Sequence, residues 1–166
     1  MNKIIERNYL EINSVEDLNE SKHSVNGYSI ELVEPVDFQL NKFFYKNVGK
    51  KHHWVDRLIW TEKQWIEYVS SKKLKTCVLK CMKDLVGYFE LISHQNEIEI
   101  AYLGLLEDYL NQKLGSFLLY SALNKSFSIK PKRVWVHTCS LVHKNALNNY
   151  LSRGMKVFKE ETLFLD

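Results

Sequence analysis

Proline and glycine are scarce in this chain: two prolines and six glycines in 166 residues. No Pro- or Gly-rich stretch, low-complexity tract or internal repeat marks a linker, so residues 1–166 read as a single domain. Long apolar runs are missing too. No window reaches the roughly 18 consecutive apolar residues of a membrane span, and Met1–Leu10 mixes charges among its apolar residues where a secretory leader would be continuously apolar. Cysteine is limited to Cys77, Cys81 and Cys139, an odd set at spacings that suit neither a disulfide framework nor a zinc site. These absences predict a cytoplasmic protein with reduced thiols and no membrane partner. Charge of one sign is also short. A formal net charge of +3 is too mild and its Lys and Arg too scattered for a nucleic-acid surface. His52-His53 has no third ligand at suitable spacing, so no metal is expected.

What is present is an ordinary globular composition, 45% hydrophobic and 26% charged, with periodicities that alternate between strand and helix. Strands are predicted over Ile4–Ile12 and Tyr28–Val33, separated by a polar connection from 13 to 27. Asp37 caps a helix carrying Phe38, Leu40, Phe43, Phe44 and Val48, which Gly49 is expected to end. Thr61 and Gln64 form a capping-box pattern for a second helix to about Ser70. Lys75–Met82 and Leu85–His94 are strands joined by a turn at Lys83-Asp84. Over Asn96–Leu105, strict alternation puts Ile98, Ile100 and Tyr102 on one face and Glu97, Glu99 and Ala101 on the other. Gln112–Phe127 is a helix, Val134–Cys139 a strand, and His143–Arg153 a helix closed by Gly154. A last strand starts near Met155. The order of elements places the chain in the mixed α/β class.

The most informative stretch is Leu105–Ser116, where a strand runs through a short loop into a helix. Helix N-termini offer unpaired N–H groups and a positive dipole end, which suit a pyrophosphate. Gly115 would let backbone approach such a ligand closely; glycine in a first helical turn also serves plain packing.

This junction, the order of elements and the run Ala146, Tyr150, Gly154-Met155 resemble the GNAT superfamily of acyl-CoA N-acyltransferases. Arg133–His143 and the segment from Val48-Gly49 through Trp54, Arg57 and Trp60 look like one bacterial branch of it with unassigned acceptors. The resemblance runs from about residue 28 to 160. It implies a mostly antiparallel central sheet, flanked by helices and splayed between the strand at 96–105 and the strand at 133–139, with acetyl-CoA as cosubstrate lying in the V. It maps the family's bulge to Leu103-Gly104-Leu105, whose backbone amide would polarise the thioester. It assigns cofactor contacts to Gly104, Leu105, Leu110, Asn111, Gln112, Lys113, Gly115, Ser116 and His143. The family's Arg or Gln, then Gly, then Gly or Ala stand here as Leu110, Lys113 and Gly115.

The resemblance also implies proton-transfer roles. Glu99 stands where the superfamily often places a general base, with Glu97 on the same face as understudy, and Tyr150 stands where its acid tyrosine lies. Each has a plain structural counterpart, an exposed strand carboxylate and a core tyrosine. Trp54 and Arg57 are candidate acceptor contacts, a flat apolar wall beside a fork for a carboxylate; a local ion pair of Arg57 with Asp56 or Glu62 is the other reading. The function implied is N-acetyl transfer to a small-molecule amine by direct attack, with a non-catalytic CoA-binding module of the same fold as the alternative. The self-association state, a homodimer included, is left open.

Overall fold

The computed structural model describes residues 3–21, 26–140 and 145–165. Among these residues seven strands, β1 (Lys3–Ile12), β2 (Tyr28–Leu32), β3 (Leu74–Cys81), β4 (Asp84–His94), β5 (Glu97–Leu105), β6 (Arg133–Cys139) and β7 (Lys156–Leu165), form one sheet in the order β2-β3-β4-β5-β6-β1-β7. Among the described residues, four α-helices flank it: α1 (Phe38–His52), α2 (Glu62–Val69), α3 (Leu114–Phe127) and α4 (Asn145–Ser152). Every strand pairing is antiparallel except β5 with β6. That parallel pairing runs only from Glu97↔Arg133 to Glu99↔Trp135. Beyond Glu99, β5 stays paired with β4 and β6 with β1, so their facing edges diverge and the sheet opens into the expected V.

One face of the sheet is covered by α3, whose Leu114, Leu118, Leu119, Ala122 and Leu123 are buried against Ile98, Ile100, Val134 and Val136. These apolar residues recur at helical spacing, and each large one contributes about 1.5–3 kcal/mol through burial. On the other face α1 sets Phe44 and Val48 against Val78 and Tyr88. Asp37 caps α1 through the Gln39 amide, and Thr61 and Gln64 close the expected capping box on α2.

Three local expectations are overturned. Gly49 does not end α1, which continues to His52 and closes on His53 in the left-handed conformation. Gly49 serves packing instead, because a Cβ there would lie 2.8 Å from the Trp54 Cβ. The bulge on β5 is not at Leu103–Leu105, which pair regularly with Phe89, Tyr88 and Gly87. It falls at Ala101, since Glu90 pairs with Tyr102 while the next residue, Leu91, pairs with Ile100. An extra residue shifts the two-residue alternation by one. Tyr102 therefore leaves the face of Ile98 and Ile100 and packs on the α1 side, while Leu103 and Leu105 join the α3-side core. Gly154, by contrast, is the helix terminator expected: its φ is +105° and a Cβ would strike the Asp17 carbonyl oxygen.

Candidate active site

The V and the loop before α3 open into one cleft of ≈ 950 Å³. It has two mouths. On the α3–α4 side it is bordered by Leu110, Asn111, Lys113 to Ser116, Asn149 and Tyr150. On the other side it is bordered by Tyr45, the segment His52 to Arg57, Glu99, Tyr102, Arg7, His137 and Cys139.

The loop at the first mouth holds its shape without glycine. Asn111 and Lys113 both take left-handed conformations, with φ of +62° and +63°. A left-handed residue beside ordinary ones turns successive N–H groups toward a common point, a concavity suited to anions. Asparagine accepts this conformation at little cost, whereas for lysine it costs of the order of 1 kcal/mol. Lys113 is exposed at the N-terminus of α3 with no side-chain cap, so its ammonium and the helix dipole both favour an anion. Gly115 has an ordinary backbone conformation, and a Cβ there would meet only Asn149 Nδ2, at 3.7 Å. The protein's own packing does not require glycine at this position. Asn149 donates to the Gly115 carbonyl at 3.0 Å and ties α4 to the start of α3. Ser116 lines the same mouth, its hydroxyl 2.8 Å from that of Ser21. Gln112 turns away, donating to the Asp108 carbonyl at 3.1 Å. His143 lies outside the described residues.

Gly104 and Leu105 line the cleft, but a close approach rather than a bulge explains the glycine. A Cβ on Gly104 would run into the Val48 side chain of α1. Tyr150 lies on α4 with its ring in the core and borders the cleft from the α3 side. Burial pushes its phenol up to about 12, so it keeps its proton at neutral pH. Glu99, on β5 just before the splay, borders the opposite mouth. Its Oε1 lies 2.8 Å from Nε2 of His94, whose side chain is about half exposed at the end of β4. Glu97 is engaged elsewhere, 2.8 Å from Arg133.

Arg57 departs most from expectation. It is buried, and its partner is neither Asp56 nor Glu62 but the fully buried Glu90 of β4, at 3.2 Å. Glu90 also accepts from Asn41 at 2.9 Å and from the Tyr68 hydroxyl, while the Arg57 amide donates to Tyr45. Rings of Tyr45, Trp60, Trp65, Tyr68 and Tyr102 surround the guanidinium. Burial lowers its pKa, but the Glu90 carboxylate, helped by Tyr68 and Tyr102, outweighs this and leaves it raised. The charge is matched within the protein, and the fork is not left open for a ligand. Trp54 packs edge-on to Tyr102, with ring centroids 4.7 Å apart, and lines the mouth.

The sequence profile of the Acetyltransferase (GNAT) family matches residues 37–155, from the cap of α1 to the residue before β7. The chain belongs to this GNAT family. Among solved structures, its fold is similar to that of a GCN5-related N-acetyltransferase from Sphaerobacter thermophilus, with a TM-score of 0.77, 13% identity and coverage of 98% of this chain and 52% of that one. It is also similar to a functionally unknown conserved protein from Staphylococcus epidermidis, with a TM-score of 0.67, 16% identity and coverage of 98% and 62%. An aminoglycoside acetyltransferase from an uncultured soil metagenomic sample matches with a TM-score of 0.64, 14% identity and coverage of 77% and 88%. At these identities the likeness is one of fold. The chain spans about half to three-fifths of the first two structures. No curated protein sequence matches it.

Within this GNAT fold, four residues at or next to the cleft carry no signal in the sequence: Arg7 and His137, which line the cleft, and Glu90 and His94, which hold the lining residues Arg57 and Glu99. Glu90 sits in an apolar strand and reads as a surface carboxylate until α1 and α2 close over it. His94 and Glu99 are five residues apart across the β4–β5 turn, and only that hairpin brings them together. Arg7 and His137 reach the cleft because β1 inserts between β6 and β7. Among the described residues no group of three His, Cys, Asp or Glu is placed to hold a metal, and no helix is long and apolar enough to cross a membrane.

Proposed function

We propose that this GNAT protein transfers an acetyl group from acetyl-CoA directly to the amine of a small-molecule acceptor. The observation that carries the reading is the cleft itself: a two-mouthed V with a left-handed anion loop at one mouth and a carboxylate at the other. The cosubstrate would supply an activated thioester, and the residues at hand fit it. Backbone amides of Asn111 to Ser116, with Lys113, would take the pyrophosphate. The facing edges of β5 and β6, which lack a strand partner beyond Glu99 and Trp135, suit the amide groups of an extended pantetheine arm.

An attacking amine must be neutral, and an amine of pKa about 10 is mostly protonated near pH 7. Glu99, directly or through water, removes that proton. Its hydrogen-bonded neighbour His94 is exposed to solvent and gives the proton a way out of the cleft. Beyond Glu99 the edge of β5 that faces β6 has no strand partner, and a backbone N–H near the unpaired Ala101 would stabilise the developing oxyanion. Tyr150, held neutral by burial, would protonate the departing thiolate.

The test is thiol release on incubation with acetyl-CoA and a panel of amines, alongside calorimetry with CoA. Binding and amine-dependent thiol release are expected together. Tight CoA binding with no release across the panel would favour a non-catalytic binding module; no binding would end both readings.

A further inference from the structure

With Arg57 matched by Glu90, the acceptor mouth retains a different guanidinium. Arg7 of β1 lies opposite Cys139 of β6 and Glu161 of β7, on the sheet face that also carries His137 and Glu99. It lines the cleft together with those two and with Cys139, Ile5 and Leu163. Its nearest carboxylate, Glu161, stays 3.9 Å away, beyond hydrogen-bond reach. That carboxylate is otherwise engaged: Lys159 lies 2.8 Å from one oxygen and the Tyr9 hydroxyl donates to the other at 2.9 Å. Among the described residues, Arg7 Nε is buried without a hydrogen-bond partner, while about a third of the side chain remains exposed. The exposed part of the guanidinium, with no carboxylate of the described residues inside hydrogen-bond distance, is open to the oxygens of a ligand.

The neighbouring groups define what that ligand carries. His137, one strand pair along from Arg7, is kept toward its neutral form by desolvation and then by the Arg7 charge, against Glu99 and Glu161. A neutral imidazole does not compete with Arg7 for an anion. Trp54 and Tyr102, packed edge-on to each other, add aromatic surface to the same cleft. The mouth thus pairs one planar cationic fork with aromatic surface and a proton-accepting carboxylate.

We propose that Arg7 anchors a carboxylate of the acceptor, so that the acceptor is an amine that also bears a carboxylate and an apolar body, of the amino-acid type. This rests on the acetyltransferase reading for the chemistry, but the recognition it names is read by binding alone. Arg7 is a specificity residue here: it holds the acceptor by a bidentate, charge-assisted pair and takes no part in proton transfer.

The experiment compares the common amino acids with the amines left by removing their carboxylates, for example phenylalanine with phenethylamine. Binding is read by calorimetry in the presence of CoA and turnover by thiol release. The wild type should bind at least one acid more tightly than its matched amine by about tenfold or more, as expected of a charge-assisted pair. Arg7→Gln should erase that difference while leaving CoA affinity unchanged, and Arg7→Lys, which keeps charge but loses the fork, should fall between. Glu161→Gln should keep the preference, which separates recognition from upkeep of the β1–β7 edge; melting curves verify that each variant is folded. Binding of acids without turnover would uphold the Arg7 site while sinking the transferase reading. The Arg7 proposal is overturned if no acid outbinds its amine, or if the preference survives in Arg7→Gln.

Discussion

The Arg57 guanidinium lies 3.2 Å from the Glu90 carboxylate with both groups buried, and this pair fastens the segment between α1 and α2 to the centre of the sheet. Removing one partner of such a pair strands the other charge in a nonpolar surrounding, at a cost of about 3–5 kcal/mol. Glu90→Gln should therefore lower stability by that order in urea titrations. Replacing Arg57 and Glu90 together by Met and Leu should restore much of the loss. A loss below about 0.5 kcal/mol for the single variant, as at an exposed pair, would mean that the pair fastens nothing.

Glu99→Gln keeps the shape of the side chain and removes its basicity. Turnover should fall by about 100-fold or more, the usual scale of a general base, while CoA affinity holds. His94→Ala should slow turnover less, since solvent can still reach Glu99. Stopped assays across pH on both variants check this; equal activity of Glu99→Gln and wild type would assign the base elsewhere.

Gly115 offers a clean separation of packing from ligand contact. Its Cβ site is free apart from Asn149 Nδ2 at 3.7 Å, so Gly115→Ala should melt at or slightly above the wild-type temperature. Gly115→Val puts a stiff, branched side chain into the mouth, and calorimetry should show CoA binding weakened by about tenfold or more. Unchanged affinity in a folded Val variant would remove this loop from the cofactor site.

Tyr150 gives the fold a signature in alkali. Burial raises its phenol from 10.0 to about 12. Between those values the folded ring keeps its proton while the unfolded chain has lost it, so its stabilising contribution is intact below pH 10 and is lost as pH rises toward 12. By pH 11 the loss is roughly 1.4 kcal/mol. Tyr150→Phe lacks this group, so its urea midpoint should decline less than that of wild type from pH 9 to pH 11. The same variant should lose turnover at neutral pH; parallel alkaline slopes would place the phenol in water.

Much of this protein is written locally. Apolar periodicity identifies α3, a Thr61/Gln64 pair starts α2, and Gly154 ends α4, because each depends on residues within one or two turns of chain. The strand–loop–helix junction is legible for the same reason, including the retained Gly115. The left-handed shape of Asn111 and Lys113 is not, since neither residue type demands it; the closure of the loop between β5 and α3 imposes it.

The β5 bulge shows where local reading stops. Strict alternation placed Tyr102 beside Ile98 and Ile100, but one extra residue at Ala101, invisible in composition, rotates everything after it to the other face. Arg57 and Arg7 exchange roles on the same ground. The sequence determines that both are permanently charged forks, a property of the side chain alone. Which fork is hydrogen-bonded within the protein and which is left open depends on distant carboxylates, Glu90 on β4 and Glu161 on β7; the Coulomb attraction fades only as the inverse of distance, but the charge-assisted hydrogen bond is lost once the atoms part. Only tertiary structure brings those partners to 3.2 Å in one case and leaves them at 3.9 Å in the other.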